Sequence, residues 1–259
     1  MSLLELSLIT RTFGGLIALD RVDLAVGAGE IVGLIGPNGS GKSTCINLVS
    51  GVLRPTGGRV LLDGVDITGL APWHIARRGV VRTFQTLRLF ADLSVLDNVL
   101  LAQHAHLTTG AVASAVRTSR ARSEEGGILA EARRVLALVG LGDFESRAAQ
   151  HLSIGQRRLL ELARGLAARP RLLMLDEPAA GLSPPNVDRL IALVRRMRDE
   201  WGMTILLVEH VMKVVMQLSD RVVVLDHGVK IAEGPPAAVA EDARVVEAYL
   251  GTGVARADH

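Results

Sequence analysis

One glycine-rich stretch has the residue types and the spacing needed to bind a chain of phosphates. Its sequence is Gly36-Pro-Asn-Gly-Ser-Gly-Lys-Ser-Thr44. Glycines allow backbone N–H groups to turn inward around phosphates without Cβ clashes, and a helix that follows points its positive end at the same anion. Lys42 would add positive charge against the β- and γ-phosphates, and the Ser43 hydroxyl can ligate Mg²⁺. The pattern therefore predicts a phosphate-binding loop and not a chance glycine-rich turn.

A second motif ends an apolar run with two carboxylates. Leu172–Leu175 is followed directly by Asp176 and Glu177. At a strand end both side chains can lie near the phosphates, where Asp176 would hold Mg²⁺ directly or through water. Glu177 would orient and deprotonate the attacking water. Taken alone, such a pair could simply meet solvent, but a phosphate-binding loop in the same chain favours the catalytic interpretation.

The segments that must position these residues follow strand and helix patterns. The apolar run Glu30–Ile35 precedes the loop and is typical of a strand buried on both faces. Leu4, Leu6 and Leu8 alternate with polar or small residues, which indicates a strand with one buried face. The other predicted strands are Val22–Val26, Val60–Leu62, Gly79–Thr83, Leu172–Leu175, Thr204–Val208 and Arg221–Asp226. The predicted helices are one that ends near Gly51, Pro185–Arg198 and Ala237–Leu250, and Asp226-His-Gly228 is typical of a hairpin turn.

The middle of the chain has a different composition. From about Leu93 to Arg164, alanine, leucine and arginine dominate, and Ile128–Val139 has helical spacing. We expect an inserted α-helical subdomain over about residues 92–164, within a single domain that spans residues 1–259. The charged stretch Arg117–Gly127 is predicted to be a solvated arm.

Composition restricts the classes of protein to which the chain can belong. Its 259 residues are 49% hydrophobic, enough for one large α/β domain, and the single cysteine, Cys45, excludes an intramolecular disulfide. The net charge of +2 gives no argument for a nucleic-acid partner. The N-terminal residues show no signal-peptide pattern, and the apolar runs are much shorter than the roughly 20 residues that span a bilayer. If the protein works at a membrane, another chain must supply the membrane part.

Further motifs occur in a fixed order along the chain. Leu152-Ser-Ile-Gly-Gln156 resembles the signature of ABC ATPases, and Thr83-Phe-Gln85 resembles their Q-loop. Val208-Glu-His210 resembles the end of the switch-histidine strand, and Phe13 resembles the aromatic residue that stacks on adenine. Together with the phosphate loop and the acidic strand, these motifs cover nearly the whole chain. The chain therefore resembles the ATP-binding subunits of ABC transporters, which implies a P-loop NTPase core with a RecA-like mixed sheet and an N-terminal antiparallel β region.

The resemblance narrows to one group of transporters. The stretches that resemble the ATPases of branched-chain amino acid importers are Arg82–Phe90, Ser94–Val99, Ala102–His104, Asp176–Leu182, Val208–Met212 and Val246–Gly251. Related ATPases serve urea or amide importers and lipopolysaccharide exporters. The resemblance implies a peripheral protein on the cytoplasmic face of the inner membrane. It also implies a second ATPase subunit, transmembrane permease subunits and an external solute-binding protein.

The resemblance also implies a role for each motif, with ATP and Mg²⁺ as the bound groups. ATP would lie between the phosphate loop of one subunit and the signature of the other. Glu177, His210 and Gln85 would be catalytic, and the metal would be held by Ser43, Gln85 and Asp176. The implied ATP-binding residues are Phe13, Gly36, Pro37, Asn38, Gly39, Ser40, Gly41, Lys42, Ser43 and Thr44, and the signature residues acting across the dimer are Ser153, Ile154, Gly155 and Gln156.

Three positions depart from the common family pattern. Ile154 replaces a glycine, Ala180–Ser183 replaces Ser-Ala-Leu-Asp, and Val211 replaces an aspartate after His210. We expect the Ile154 side chain to point away from the nucleotide, because backbone N–H groups and the Ser153 hydroxyl hold the phosphate. Gly155 is expected to need a close backbone approach or a special backbone dihedral.

Two other classes of function fit the sequence less well than transport. A soluble ABC ATPase of repair or translation would carry a long coiled coil or two cassettes, whereas this chain has one phosphate loop and no long heptad run. A nucleotide-binding protein without turnover is disfavoured by the intact Glu177 and His210. Several conspicuous residues are given structural or surface roles: Cys45, Trp73 and Trp201 in packing, His151 at the surface, and His104 with His106 not as a metal site.

Overall fold

The computed structural model describes residues 2–83, 89–103 and 119–254, which form two sheets with helices around them. The strands are β1 (Ser2–Phe13), β2 (Leu16–Gly27), β3 (Ile31–Ile35), β4 (Gly57–Leu62), β5 (Val65–Asp66), β6 (Val80–Arg82), β7 (Leu172–Asp176), β8 (Thr204–Val208), β9 (Arg221–Asp226) and β10 (Val229–Gly234). The helices are α1 (Lys42–Val49), α2 (Pro72–Arg77), α3 (Val95–Gln103), α4 (Ser119–Leu138), α5 (Ile154–Ala167), α6 (Pro184–Trp201), α7 (Met212–Leu218), α8 (Pro236–Glu241) and α9 (Ala243–Val254). Two 3₁₀ turns cover Gly142–Phe144 and Ala149–His151.

The larger sheet carries the candidate chemistry. Its strand order is β10-β9-β3-β8-β7-β6, with parallel pairing throughout except for the antiparallel edge strand β10. The smaller sheet has the order β2-β1-β4-β5 and is antiparallel. The predicted α/β fold with a mixed sheet and an N-terminal antiparallel region is therefore confirmed. Because parallel strands end at the same edge, the loops after β3, β7 and β8 meet there.

The central strands are buried on both faces, as their apolar sequences predicted. Every residue of β3, β7 and β8 is buried. Side chains alternate between two cores: Leu173 and Leu175 face helices α3–α6, whereas Leu172 and Met174 face α1 and the antiparallel sheet. Cys45 lies in the second core, as predicted. This packing holds the strand ends, and the residues that follow them, in fixed positions.

The alternation predicted for the first strand fails at one residue. Leu4 and Leu6 are buried, but Leu8 is exposed and has a left-handed backbone with φ of 50°. The register of β1 shifts between Leu6 and Ile9, and Ile9 takes the buried position. The amide of Leu8 donates instead to the Asp23 carboxylate at 2.7 Å. The irregularity is a bulge, which reverses the face onto which the next side chain projects.

One helical prediction needs correction. The predicted closing helix Ala237–Leu250 is divided into α8 and α9 by Asp242, whose backbone is extended. The Asp242 carboxylate accepts the amide of Arg244 at 2.9 Å and therefore favours a new helix start. Within the predicted solvated arm Arg117–Gly127, the residues from Ser119 onward form the beginning of α4, and Gly126 and Gly127 are exposed. Helices α3, α4 and α5 occupy the predicted helical region, whose boundaries as a subdomain stay a prediction.

The tryptophans differ from each other in their surroundings. Trp201 is partly buried against the helical core, with the Arg134 guanidinium 4.4 Å from its ring centroid. Trp73 is exposed on α2, so its predicted packing role is wrong. The isolated residue pattern gave no means of telling the two apart. No helix in the described ranges is both long enough and apolar enough to cross a bilayer.

Candidate nucleotide-binding site

The predicted phosphate loop connects the buried strand β3 to helix α1, which begins at Lys42. Gly36 and Gly41 have positive φ of 147° and 106°. A Cβ atom added at Gly36 would lie 2.0 Å from the Leu225 carbonyl oxygen, and one added at Gly41 would lie 2.7 Å from that of Ala18. These two glycines are therefore required both by their dihedrals and by the backbone packed beneath the loop.

Lys42 places its ammonium inside the curve of this loop. The Nζ atom donates to the carbonyl oxygens of Gly36 at 2.7 Å and Pro37 at 2.8 Å, and to Ser40 Oγ at 3.4 Å. Burial lowers the pKa of Lys42, and the nearby Glu177 carboxylate partly offsets this effect. The side chain is thus a buried cation held by neutral acceptors at the start of a helix, where a phosphate would be a stronger partner.

A cavity of about 380 Å³ joins the loop to two other predicted residues. Phe13 stands at its rim with an exposed ring, and Glu177 lines it from the side of β7. The Arg11 guanidinium lies 4.4 Å from the Phe13 ring centroid. The remaining lining residues are Leu16, Ile17, Ala18, Asn38, Gly39, Ser40, Gly41, Lys42, Ser43, Thr44 and His227. The cavity therefore brings together an aromatic surface, a phosphate cradle and a carboxylate.

His227 was not predicted as part of this site. It lies in the turn between β9 and β10, which the sequence indicated as a hairpin. The adjacent Gly228 amide donates to the Ser40 carbonyl at 3.0 Å, and the Gly228 carbonyl accepts from the Asp20 amide at 2.9 Å. The hairpin thus supports the phosphate loop. Only the pairing of β9 with β3 brings it there, and the local sequence gave no sign of that pairing.

Asp176 ends β7 and is engaged by an arginine. Arg82 Nη2 lies 2.7 Å from Asp176 Oδ2, and Arg82 Nη1 lies 2.6 Å from Asn47 Oδ1. The pairing of β6 with β7 brings Arg82 beside this strand. The sequence motif predicted a role for Asp176 but gave no sign of its contact with Arg82 or of the contact between Arg82 and Asn47. In this arrangement the carboxylate predicted to hold a metal is paired with a guanidinium.

The residues near Asp176 can be tested for their fit to Mg²⁺. Ser43 lines the cavity at the first turn of α1, and its hydroxyl and the Asp176 carboxylate are the hard oxygen ligands that Mg²⁺ prefers. In the part of the chain that the structure describes, no group of three or more His, Cys, Asp and Glu side chains could form a metal cage. Mg²⁺ commonly takes few protein ligands and keeps water and phosphate oxygens, so the donor set fits it. The third predicted ligand, Gln85, lies outside the described residues.

Glu177 and His210 are brought together at the ends of β7 and β8. Glu177 Oε1 lies 3.8 Å from His210 Nδ1, and the Glu177 amide donates to the Val208 carbonyl at 2.8 Å. Glu177 has a φ of 49°, which is uncommon for a residue with a side chain. This turn directs the glutamate toward the cavity although the preceding aspartate is nearly buried. The arrangement suits a base that acts on a water molecule near the phosphates.

The predicted signature residues lie at the start of α5. Ser153 is the N-cap: its Oγ accepts the Gln156 amide at 3.3 Å, and Gln156 Oε1 accepts the Ser153 amide at 2.9 Å. Ile154 is 64% exposed, so its side chain makes little contact within the chain. Gly155 has no left-handed dihedral; an added Cβ would instead lie 3.2 Å from Asn186 Nδ2. Of the described residues around the cavity, none belongs to this segment.

Comparisons with known proteins agree with these motifs. Residues 19–180 match the model of the ABC transporter family, and residues 229–255 match that of the branched-chain amino acid ATP-binding cassette transporter. The high-affinity branched-chain amino acid transport ATP-binding protein BraF of Pseudomonas aeruginosa is 46% identical over 249 residues, which cover 96% of this chain and 98% of BraF.

Solved structures give the same result for the fold. The ADP conformation of MJ1267, an ATP-binding cassette of an ABC transporter, has a TM-score of 0.84 at 34% identity, covering 97% of this chain and 99% of MJ1267. The dimeric structure of MJ0796, a bacterial ABC transporter cassette, has a TM-score of 0.76 at 26% identity, covering 90% of this chain and 98% of MJ0796. The fold is therefore that of an ATP-binding cassette.

Proposed function

Because the chain belongs to the ABC transporter family, we propose that it hydrolyses ATP to drive the import of branched-chain amino acids through partner permeases. One observation carries the chemical part of this proposal: Phe13, the phosphate loop and Glu177 line a single cavity. The transported solutes are suggested by the relative BraF, which is named for branched-chain amino acid transport. The match of residues 229–255 to the same group of transporters supports this choice over urea import or lipopolysaccharide export.

The residues suggest how the chain would act on ATP. Phe13 would stack on the adenine, while Lys42 and the amides of the phosphate loop would bind the β- and γ-phosphates. Glu177 would accept a proton from the attacking water, and His210 would stand beside the γ-phosphate. Mg²⁺, when held by Ser43 and Asp176, would neutralise phosphate charge during transfer. Lys42 would exchange its present carbonyl partners for phosphate oxygens in the process.

A second ATPase subunit would complete the site. The Ser153 segment lies outside the cavity, and its exposed helix start offers amides and a hydroxyl that suit an anion on another chain. A head-to-tail pair would place the signature of each chain against the ATP of the other. The cassette MJ0796 has been solved as a dimer, which supports the pairing of two ATPase subunits. ATP would then join the two subunits, and its hydrolysis would release them.

A groove at the junction of β6, α3 and α5 is the proposed permease site. It has a volume of about 470 Å³, and Leu89 and Phe90 line it together with Arg164. Phe90 is exposed, and the Arg164 guanidinium lies 5.3 Å from its ring centroid. Burial lowers the pKa of Arg164, an effect that nearby Glu161 partly offsets. A largely apolar groove that is also lined by Arg82, Arg164 and Glu161 suits a short cytoplasmic helix of a permease, which would place the chain at the inner face of the membrane.

The hydrolysis proposal is tested with two variants and one control. Lys42→Ala should strongly weaken binding of a fluorescent ATP analogue. Glu177→Gln should keep binding but lower turnover by about 100-fold or more, as expected for a lost general base. Glu200→Gln, at an exposed ion pair with Arg196 on α6, should change neither property. Unchanged turnover in Glu177→Gln would contradict the assignment of the base.

Transport is tested in cells that lack this chain but retain its permeases. Uptake of labelled leucine, isoleucine and valine should be restored by the native chain and not by Glu177→Gln. Co-purification from membranes should recover the permeases with both forms. Restored uptake of urea without uptake of the three amino acids would assign the chain to the urea group. Failure to recover any membrane protein would favour a soluble ABC ATPase.

A further inference from the structure

Glu209 is a buried carboxylate that the proposed chemistry does not use. It stands between Val208 at the end of β8 and the candidate switch residue His210, and its exposed fraction is 0%. Its Oε1 accepts the amide of Ala179 at 2.7 Å. Its Oε2 accepts the amides of His210 at 3.0 Å and Val211 at 3.1 Å. Both oxygens of the side chain are therefore used, and all three donors are backbone groups.

Such an arrangement needs a physical reason. A buried carboxylate is costly unless hydrogen bonds or a cation stabilise its charge. Over the described ranges, no side-chain cation lies within ion-pair distance of Glu209. The charge is thus held by amides alone, and these amides belong to two different loops. A neutral apolar residue would fill the same space without this cost, so the hydrogen bonds themselves must matter.

The two loops are those that carry the candidate catalytic pair. Ala179 belongs to the segment after Glu177, where the Ala180 amide donates back to the Glu177 carbonyl at 3.1 Å. The other two amides belong to the turn after β8 that presents the His210 side chain. Glu209 therefore joins the Glu177 turn to the His210 turn through one rigid carboxylate group. The same region leads directly into α6, whose Asn186 faces Gly155 of the signature.

We propose that Glu209 is a positioning residue that holds the Glu177 turn and the His210 turn in fixed relation for attack on ATP. This inference rests on the proposed function, because it assigns Glu209 an effect on the hydrolysis step. The 3.8 Å separation between Glu177 and His210 depends on both turns. We call the three hydrogen bonds that Glu209 accepts from the amides of Ala179, His210 and Val211 the clamp. Loss of the clamp should impair turnover while leaving the phosphate loop and nucleotide binding intact.

The carboxylate cannot be replaced by its amide without loss. Glutamine has one acceptor oxygen and one NH₂ group, which only donates. If the oxygen keeps the two amides of His210 and Val211, the NH₂ group faces the Ala179 amide, and two donors oppose each other. Aspartate keeps the charge, but its side chain is one methylene shorter and cannot span both turns from the same backbone position. Glu209→Gln and Glu209→Asp thus disturb the clamp in different ways.

Glu30→Gln provides a matched control. Glu30 precedes β3 at the opposite end of this strand from the phosphate loop, and it is also a partly buried glutamate that accepts a backbone amide, from Gly27 at 2.7 Å. It also pairs with Arg221 at 3.0 Å. Its amide variant should therefore lose stability without affecting the arrangement of the two turns. All variants are assayed at a temperature well below their unfolding transitions.

The experiment measures ATP turnover, ATP affinity and amide hydrogen exchange in the native chain and the three variants, each assembled with its partner subunits. In Glu209→Gln, kcat should fall by about tenfold or more, equivalent to about 1.4 kcal/mol in the barrier. ATP affinity should stay within about twofold, and the Ala179 amide should exchange faster than in the native chain. Glu209→Asp should show the same pattern if Glu209→Gln does not fold. Glu30→Gln should retain native kcat and native exchange at Ala179.

Several results would overturn the inference. A kcat within about threefold of native in folded Glu209 variants would do so. An equal fall of kcat in Glu30→Gln would also do so, because general destabilisation would then explain the loss. Unchanged exchange at Ala179 would show that the clamp does not order this turn. If the native chain, assembled with its partner subunits, bound ATP but did not hydrolyse it, the proposed function would fail instead. The exchange comparison would then still decide whether the clamp exists.

Discussion

The ion pair between Arg82 and Asp176 should make a measurable contribution to stability. Its atoms lie 2.7 Å apart, and the exposed fractions of the two side chains are 13% and 6%. Removing one partner of a buried pair leaves a charge with poor solvation and costs about 3–5 kcal/mol. Arg82→Gln keeps some polarity near Asn47, so we expect a loss near the lower limit, about 3 kcal/mol. For a chain of this size, that lowers the unfolding temperature by about 6–12 °C.

A double-mutant cycle isolates the contribution of the pair. Arg82→Gln, Asp176→Asn and the double variant are unfolded in urea without nucleotide, and the three losses in the free energy of unfolding are compared. Because Asp176→Asn removes the charge that Arg82→Gln leaves unpaired, the double variant should lose less than the sum of the single losses. We expect a coupling energy of more than about 1 kcal/mol between residues in such contact.

Arg171→Gln is the control for this cycle. Arg171 pairs with Asp63 at 2.6 Å, a similar distance, but the side chains are 50% and 60% exposed. Water solvates these charges well, so the control should lose no more than about 1 kcal/mol. Additivity within about 0.5 kcal/mol in the Arg82 cycle would refute the argument that the pair is energetically coupled. So would an equal loss in Arg171→Gln, because burial would then have no effect.

Three further predictions concern the nucleotide, the thiol and the signature. If Phe13 only stacks on the base, competition assays should show discrimination between ATP and GTP of less than about 100-fold, and a larger ratio would require a hydrogen-bonding site. Burial raises the pKa of Cys45 to about 12, so iodoacetamide should label the unfolded chain and leave the folded chain unlabelled near neutral pH. In membranes with partner subunits, Ile154→Gly should keep ATPase activity within about threefold, since the side chain is exposed and glycine there costs about 1 kcal/mol. Gly155→Val should lose more because its side chain would meet Asn186, and equal activity in the two variants would contradict this order.

The sequence predicted most of the fold because the larger sheet is buried on both faces. An apolar run between turn residues identifies a buried strand without knowledge of its neighbours, and β8 and β9 have the predicted bounds. The failures have local physical causes. Leu8 continues an alternating pattern but lies at a bulge, and Asp242 divides a continuous helical pattern by capping a new helix. The periodicity of apolar residues does not reveal a one-residue bulge in a strand. Nor does it reveal a new helix start within a continuous helical pattern.

Some residues of the candidate site were predicted from the sequence and others were not. Residues with a motif, such as Lys42 and Glu177, were identified because their chemistry depends on neighbours in sequence. Arg82, Glu209 and His227 were missed because their partners come from distant segments. Arg82 precedes the Thr83–Gln85 motif, and Glu209 lies inside the Val208–His210 motif. In these motifs, roles were predicted only for Gln85 and His210. Only the order of the strands places Arg82 beside Asp176, and Glu209 between the turns that carry Glu177 and His210.

The polar and charged side chains of the candidate site already have partners within this chain. Lys42 donates to loop carbonyls, Asp176 accepts from Arg82, and Glu177 lies beside His210. Binding of ATP with a cation must therefore exchange existing partners for new ones, and the net gain is smaller than the new contacts alone would provide. A ligand shifts a conformational equilibrium only by the difference in its affinity for the two states. A site whose side chains have partners in both states keeps that difference moderate, which would suit the proposed cycle of ATP binding, cleavage and release.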